Sequence, residues 1–152
     1  MTPLPARPGD PPLTSSSVPH QQLTQNAPYH LQRRLLRRCA DLAGTTVAAT
    51  RVSVPGAVGL HLTVPGDRPT VVEYAHAHPS YDGSWHMSLP VGSAAEVVAA
   101  GWGEYHLLAG QGLPRGTVLV YAPRDGREAD LCFEMVALAH GLARDTLGGG
   151  HA

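Results

Sequence analysis

The sequence predicts an α+β domain: a mostly antiparallel sheet packed by two or three helices. Three observations point there. Four β-rich segments follow one another with no helix between them, helical stripes sit toward the two ends of the chain, and 152 residues with 43% hydrophobic content fill one modest core.

Residues 1–26 hold six of the fourteen Pro and the run Ser15, Ser16, Ser17. Such a stretch buries too little apolar surface to offset its ordering entropy, so a disordered arm is expected there. The domain follows over 27–147, with 148–152 as a flexible tail. Asn26 is suited to cap a first helix that has Pro28 in its opening turn. Leu31, Leu35, Cys39 and Leu42 make its apolar stripe, Gly44 ends it, and Arg33, Arg34, Arg37 and Arg38 form a solvated face. Strands are expected over 46–54, 58–64, 70–78 and 84–89, punctuated by Pro55-Gly56 and Pro65-Gly66. Ser93 with Glu96 reads as a capping box for a second helix ending near Gly101. Gly101 to His106 reads as a tight loop around Trp102, and 117–121 as a short apolar strand. Asp125 with Glu128 starts a last helix whose stripe is Cys132, Met135, Val136, Ala139, Leu142 and Ala143.

Composition narrows the chemistry. All eleven basic residues are Arg, so a Schiff-base lysine, a pyridoxal-phosphate anchor and a P-loop lysine are excluded. A net charge of −1 gives no general attraction to nucleic acid or to an anionic membrane. Cys39 and Cys132 belong to no CxxC pattern, which argues against a disulfide framework or a cysteine zinc site. With no long apolar run and no signal-peptide design, the expectation is a soluble cytoplasmic protein. Abundant Ala, Gly, Pro and Arg without Lys point to a GC-rich bacterial genome.

Nine His in so short a chain is the unusual count. On one strand His76 and His78 project from the same face, together with Tyr74 and Val72. If residues 79–83 close a symmetric hairpin, His78 lies opposite Ser84 and His76 opposite His86, bringing three imidazoles onto one patch. Glu73, Ala75 and Ala77 then meet Trp85 and Met87 on the other face, and a one-residue slip would undo the convergence. His106 is a fourth candidate, carried on the loop. His20, His30, His61, His140 and His151 sit in no cluster, with His61 a weak reserve. Such a cluster suits a divalent metal, metal-free acid–base catalysis, or a structural polar network, and the spacing leaves the three open.

Ala75-His76-Ala77-His78, Asp82, Trp85-His86, Gly101-Trp102-Gly103 with His106, Leu108-Ala109-Gly110, Gly112, Pro114, Tyr121-Ala122-Pro123-Arg124 and Glu128-Ala129 occur in an order that resembles the fungal luciferase-type domain, which also occurs in bacterial proteins. The resemblance covers about residues 70–142, and Glu73 also has a counterpart. The apolar N-terminal segment of the fungal enzymes has none. The resemblance implies oxygenation without an organic cofactor, with dioxygen as co-substrate: a base removes an enol proton, donors hold the oxyanion, and an apolar pocket excludes water. It makes His76, His78, His86 and His106 candidates for base, anion holder or metal ligands, with Glu73 or Asp82 orienting an imidazole. Tyr74, Trp102, Tyr121 and Arg124 become candidates for substrate binding.

The expected function is a small enzyme of secondary metabolism that oxygenates or rearranges an enolisable, ring-bearing metabolite such as a pyrone or polyketide. Two alternatives accompany it: a metal-dependent oxygenase, cyclase or isomerase using the same histidines, and a non-enzymatic ligand- or metal-binding accessory protein. The partner expected is a small molecule, with neither nucleic acid nor membrane; a homodimer stays open.

Overall fold

A computed structural model describes residues 3–64 and 69–148. Helix α1 (Tyr29–Ala40) leads into β1 (Thr45–Ala49), β2 (Val58–Val64), β3 (Thr70–Ala77) and β4 (Trp85–Ser88). Helix α2 (Val91–Ala99), β5 (Gly103–Tyr105), β6 (Thr117–Val120) and α3 (Gly126–Gly148) follow. The strands form one six-stranded sheet in the order β1-β2-β3-β4-β6-β5, every pairing antiparallel. The α+β architecture of one domain is therefore the observed one. No helix among the described residues is long and apolar enough to cross a membrane.

One face of the sheet carries the core. Leu60, Ala75, Ala77, Trp85, Met87, Val118 and Val120 pack against Leu35 and Cys39 of α1 and against Cys132, Met135, Val136 and Ala139 of α3. The α3 stripe is thus buried as its spacing requires, while Leu142 and Ala143 are half-buried. Both cysteines are buried and free.

Several local expectations are corrected. Helix α1 starts after Pro28 with no side-chain cap; Asn26 instead donates from Nδ2 to Asp82 O at 3.2 Å. Helix α2 starts two residues before Ser93, after Pro90, again without a side-chain cap. In both cases a proline, with φ of −57° and −52°, sets the entry to the helix. Asp125 does cap α3, its Oδ1 accepting from Glu128 N at 2.9 Å. The first strand stops at Ala49, and the loop expected around Trp102 contains β5, an edge strand drawn into order by pairing with β6. Pro65-Gly66 and most of the expected tail lie outside the described residues.

The largest correction concerns the arm. Residues 3–26 lie along the domain and do not hang free of it. Arg7 N donates to Ala100 O at 2.8 Å, Trp102 Nε1 donates to Pro5 O at 2.6 Å, and Arg124 donates to Pro8 O at 2.9 Å. Gln22 is buried, with its N–H on Asp82 and its side-chain oxygen accepting from Ala122 N at 2.9 Å. Polar contacts to the domain hold this Pro-rich segment, and Leu4 adds a partly buried apolar contact to the core.

Gly116 shows how tightly the strands are set. A Cβ there would stand 1.9 Å from the carbonyl oxygen of Leu89, whose N–H bonds Gly116 O at 2.9 Å. Gly116→Ala is expected to cost about 3 kcal/mol, because backbone must move to admit the methyl, and urea denaturation reads that loss.

Candidate active site

The far face of the sheet holds the histidines. The hairpin between β3 and β4 has the symmetric register: His76 pairs with His86, Ala77 with Trp85, and His78 N donates to Ser84 O at 2.9 Å. One feature of β3 departs from simple alternation. Opposite β2 the partners run His76–Gly59, Ala75–Leu60, then Glu73–His61, so Tyr74 is an extra, bulged residue. The bulge turns Tyr74 into the core, where its hydroxyl meets Thr45 Oγ1 at 2.9 Å and its ring lies 5.4 Å from that of His140. It also turns Glu73 onto the histidine face, the reverse of what alternation predicts. Gly59 makes this possible: a Cβ there would stand 2.7 Å from His61 Cε1 and 2.9 Å from Glu73 Cδ.

The rings converge on His86. Its centroid lies 4.6 Å from those of His78 and His106, 5.1 Å from His76 and 5.5 Å from His20. His20 comes from the N-terminal segment and its side chain is fully buried. His61, the reserve candidate, lies with its Nε2 3.2 Å from Glu73 Oε2.

Hydrogen-bond partners assign the ring protons. Glu73 Oε1 is 3.1 Å from His76 Nδ1, so that nitrogen carries a hydrogen and His76 Nε2 is an acceptor. His86 Nδ1, 3.1 Å from His76 Nε2, then donates to it, and His86 Nε2 is left with a bare lone pair. That atom is buried with no partner among the described residues. His78 Nδ1 donates to Asp82 Oδ2 at 2.8 Å, leaving its Nε2 bare as well. His20 Nε2 donates to Glu104 Oε1 at 2.7 Å, and its Nδ1 is buried without a partner. His106 differs: its Nδ1 accepts from Leu108 N at 3.0 Å, so its neutral ring presents N–H at Nε2.

The electrostatics follow from burial and crowding. Desolvation first, then four neighbouring imidazoles, hold the pKa of His86 far below the ordinary histidine value. The same causes bring His106 down to about 4, so both rings are neutral at pH 7. Burial pushes the Glu73 carboxyl up, but hydrogen bonds from His76, Thr50 and Arg51 N outweigh it and bring the pKa to about 2. Asp82, fully buried, is likewise held below the carboxylate range by His78 and Ser84 against the pull of desolvation. The signs combine in one direction. A depressed histidine destabilises the fold as pH falls from its unfolded value of 6.5 through about 4, and the depressed carboxylates withdraw their stabilisation below 4.5. The urea midpoint is expected to fall steadily as pH drops from 6.5, and a midpoint flat between pH 6.5 and 4 would contradict the neutral cluster.

A cavity of about 500 Å³ opens over these rings. It is lined by Glu73, His20, His76, His78, His86 and His106, with Val18, Val52, Leu108 and Leu113 as apolar walls. That size and mix suit a small-molecule ligand. His76, His78 and His86 each offer one nitrogen, all within 4.8 Å of one another, and could hold a metal ion; His20, His86 and His106 form a second such set. The first set has the better chemistry, since His76 and His78 are carboxylate-backed and His78 Nε2 is bare, whereas His106 presents a hydrogen.

Of the residues expected at the site, His76, His78, His86, His106 and Glu73 line the cavity, and Asp82 orients His78 from beneath. Tyr74 borders the cavity, but its ring is spent in the core. Trp102, Tyr121 and Arg124 are not among the lining residues. They hold the N-terminal segment: Trp102 and Arg124 through Pro5 and Pro8, Tyr121 through Arg7, whose guanidinium lies 5.3 Å from its ring centroid. His20 and Glu104 were not expected at all, and no local spacing marks them.

Residues 72–139 match the family model described as Luciferase domain, a span that includes Glu73, His76, His78, Asp82, His86, Glu104 and His106. The chain is 31% identical over 148 residues to a luciferase of Armillaria ostoyae and 30% identical over 148 residues to one of Armillaria mellea, each match covering 82% of this chain and 55% of the relative. A luciferase of Neonothopanus nambi is 40% identical over 65 residues, 41% of this chain and 24% of that protein. The chain thus spans about half the length of the first two relatives, and the similarity reaches beyond the segment that carries the motifs. No solved structure matches it. With its histidine face inside the matched segment, the chain belongs to the luciferase-type domain family.

Proposed function

We propose that this protein is an oxygenase-type enzyme that needs no organic cofactor and acts on an enolisable, ring-bearing small molecule. The observation that carries this is the relay Glu73–His76–His86, which ends in a bare, buried Nε2 on a residue that lines the cavity. His86 Nε2 takes the enol proton, and His76 and Glu73 behind it spread the positive charge it acquires. His106 Nε2–H donates to the enolate oxygen. The enolate carbon then bonds dioxygen: carbon gives up two electrons and dioxygen is reduced to a bound peroxide. The apolar walls keep bulk water from quenching the enolate. The luciferase name of the relatives supports this reading.

A second reading has its own observation. His76 Nε2 and His86 Nδ1 are 3.1 Å apart, a separation that also fits two ligands of one divalent ion, and His78 lies beside them. In that version the ion would polarise the enolate oxygen, and Glu73 and Asp82 would fix the ligand imidazoles.

An oxygen electrode tests both, using protein purified without a metal column and a panel of hydroxypyrones and related polyketide lactones. The metal-free reading expects oxygen uptake that matches substrate loss and survives a strong chelator. Stoichiometric bound metal, with uptake abolished by the chelator, would replace it with the metal version. No uptake on any enolisable ring would defeat both.

A further inference from the structure

His20, His86 and His106 each offer a ring nitrogen, and the three atoms lie within 4.8 Å of one another. One atom placed among points so spaced reaches all of them within about 2.8 Å, the length of an ordinary hydrogen bond to oxygen. Hydrogen bonds to Glu104, His76 and Leu108 leave each ring one nitrogen for a ligand, and the three are not alike. His20 Nδ1 and His86 Nε2 are buried lone pairs without partners among the described residues, whereas His106 presents N–H because its other nitrogen is occupied by Leu108 N. Two acceptors and one donor are the complement of a single water molecule, which has two O–H bonds to give and a lone pair to receive with. An enol hydroxyl has one hydrogen and would leave one of the buried nitrogens unmet.

His20 is equipped to be the base. Its Nε2–H is held by Glu104 Oε1 at 2.7 Å, and that carboxylate is itself fixed by Thr14 Oγ1 at 2.8 Å and by the Tyr121 hydroxyl on Oε2 at 3.1 Å. A buried imidazole oriented by a carboxylate, with its other nitrogen turned inward, is the pairing that removes a proton from a nucleophile in acyl transfer. Nothing in the oxygenation step uses it.

We propose that the His20–His86–His106 triangle is a water-activating subsite and that the cavity also opens cyclic esters by hydrolysis, without dioxygen. His20 Nδ1 takes one proton from the water as its oxygen bonds to the ester carbonyl carbon. The ring C–O bond then breaks, the proton passes from His20 to the departing ring oxygen, and the product is a hydroxy acid. No electrons change hands, and water is the only co-reactant. The carbonyl oxygen has a donor on the same wall: the Ser88 and Thr117 hydroxyls are 3.0 Å apart and spend one hydrogen between them, leaving the other free.

The test uses the full chain under nitrogen, in water labelled with heavy oxygen, with dihydrocoumarin and triacetic acid lactone as probes. The expected result is one heavy oxygen in the product carboxylate, formed well above the buffer rate, with about a hundredfold loss in His20→Gln. Glu104→Gln acts through His20 and should lower kcat about tenfold with KM unchanged, which covers the case where His20→Gln does not fold. Hydrolysis no faster than buffer, or undiminished kcat in a folded His20→Gln or Glu104→Gln chain, would overturn the proposal. Excluding dioxygen separates it from the oxygenase reading: hydrolysis under nitrogen alongside absent oxygen uptake in air would sink that reading alone.

Discussion

His86→Gln is expected to lower oxygen uptake by about a thousandfold while the protein remains folded. His86 is the ring on which the others converge, and its Nε2 ends the Glu73–His76 relay. Gln keeps a polar side chain of similar reach for His76 Nε2 but has no ring lone pair to receive the enol proton. Substitutions further back should cost less, because they weaken the base without removing it. His76→Gln should be intermediate, and Glu73→Gln milder still. Initial rates of oxygen consumption, read beside the urea midpoint of each variant, check the order. If His86→Gln keeps full activity, the base has been misplaced.

Asp82→Ala is expected to cost about 4 kcal/mol of stability, the largest loss from any single carboxylate in the domain. The side chain is fully buried and accepts four hydrogen bonds: from Ser84 N at 2.9 Å, Ser84 Oγ at 2.5 Å, His78 Nδ1 at 2.8 Å and Gln22 N at 3.1 Å. Alanine would leave those donors buried without an acceptor, and each orphan carries its own desolvation penalty. Because one of them belongs to Gln22, the N-terminal segment should loosen as well. Chemical denaturation measures the first effect and limited proteolysis near residues 15–24 the second. A variant that loses less than about 1 kcal/mol would show that the network relaxes around the gap.

The convergence of His76, His78 and His86 was legible because it needs only two things, strand alternation and a five-residue loop that closes a symmetric hairpin. The sheet, its antiparallel sense and the stripe of α3 were legible for the same reason: each repeats with a period visible in one short window. What escaped was set by partners distant in sequence. The bulge at Tyr74 changes which residues share a face without changing composition, so Glu73 and Tyr74 were exchanged between core and cavity. Three residues of β5 carry too little pattern to announce a strand, and only the presence of β6 makes them one. The Ser93 capping box lost to Pro90, whose ring presets the helical φ one turn earlier. His20 stands 84 residues from Glu104, and nothing near it in the chain signals a site. Its Pro-rich surroundings suggested the opposite, because composition reports how much apolar surface a segment can bury and says nothing of the polar contacts waiting for it elsewhere.

The docking of residues 3–26 also bears on the order in which the molecule assembles. Its ties run to Ala100, Trp102, Glu104, Ala122 and Arg124, at sequence separations of up to 116 residues. A ribosome therefore makes this segment before any of its landing places. The β2–β3–β4 meander can collapse early from near neighbours in the chain, but the cavity cannot acquire its His20 wall until β6 and the start of α3 have emerged. During synthesis the imidazole face is open on one side, and it closes only when residues 3–26 come back to meet partners up to 116 positions further along.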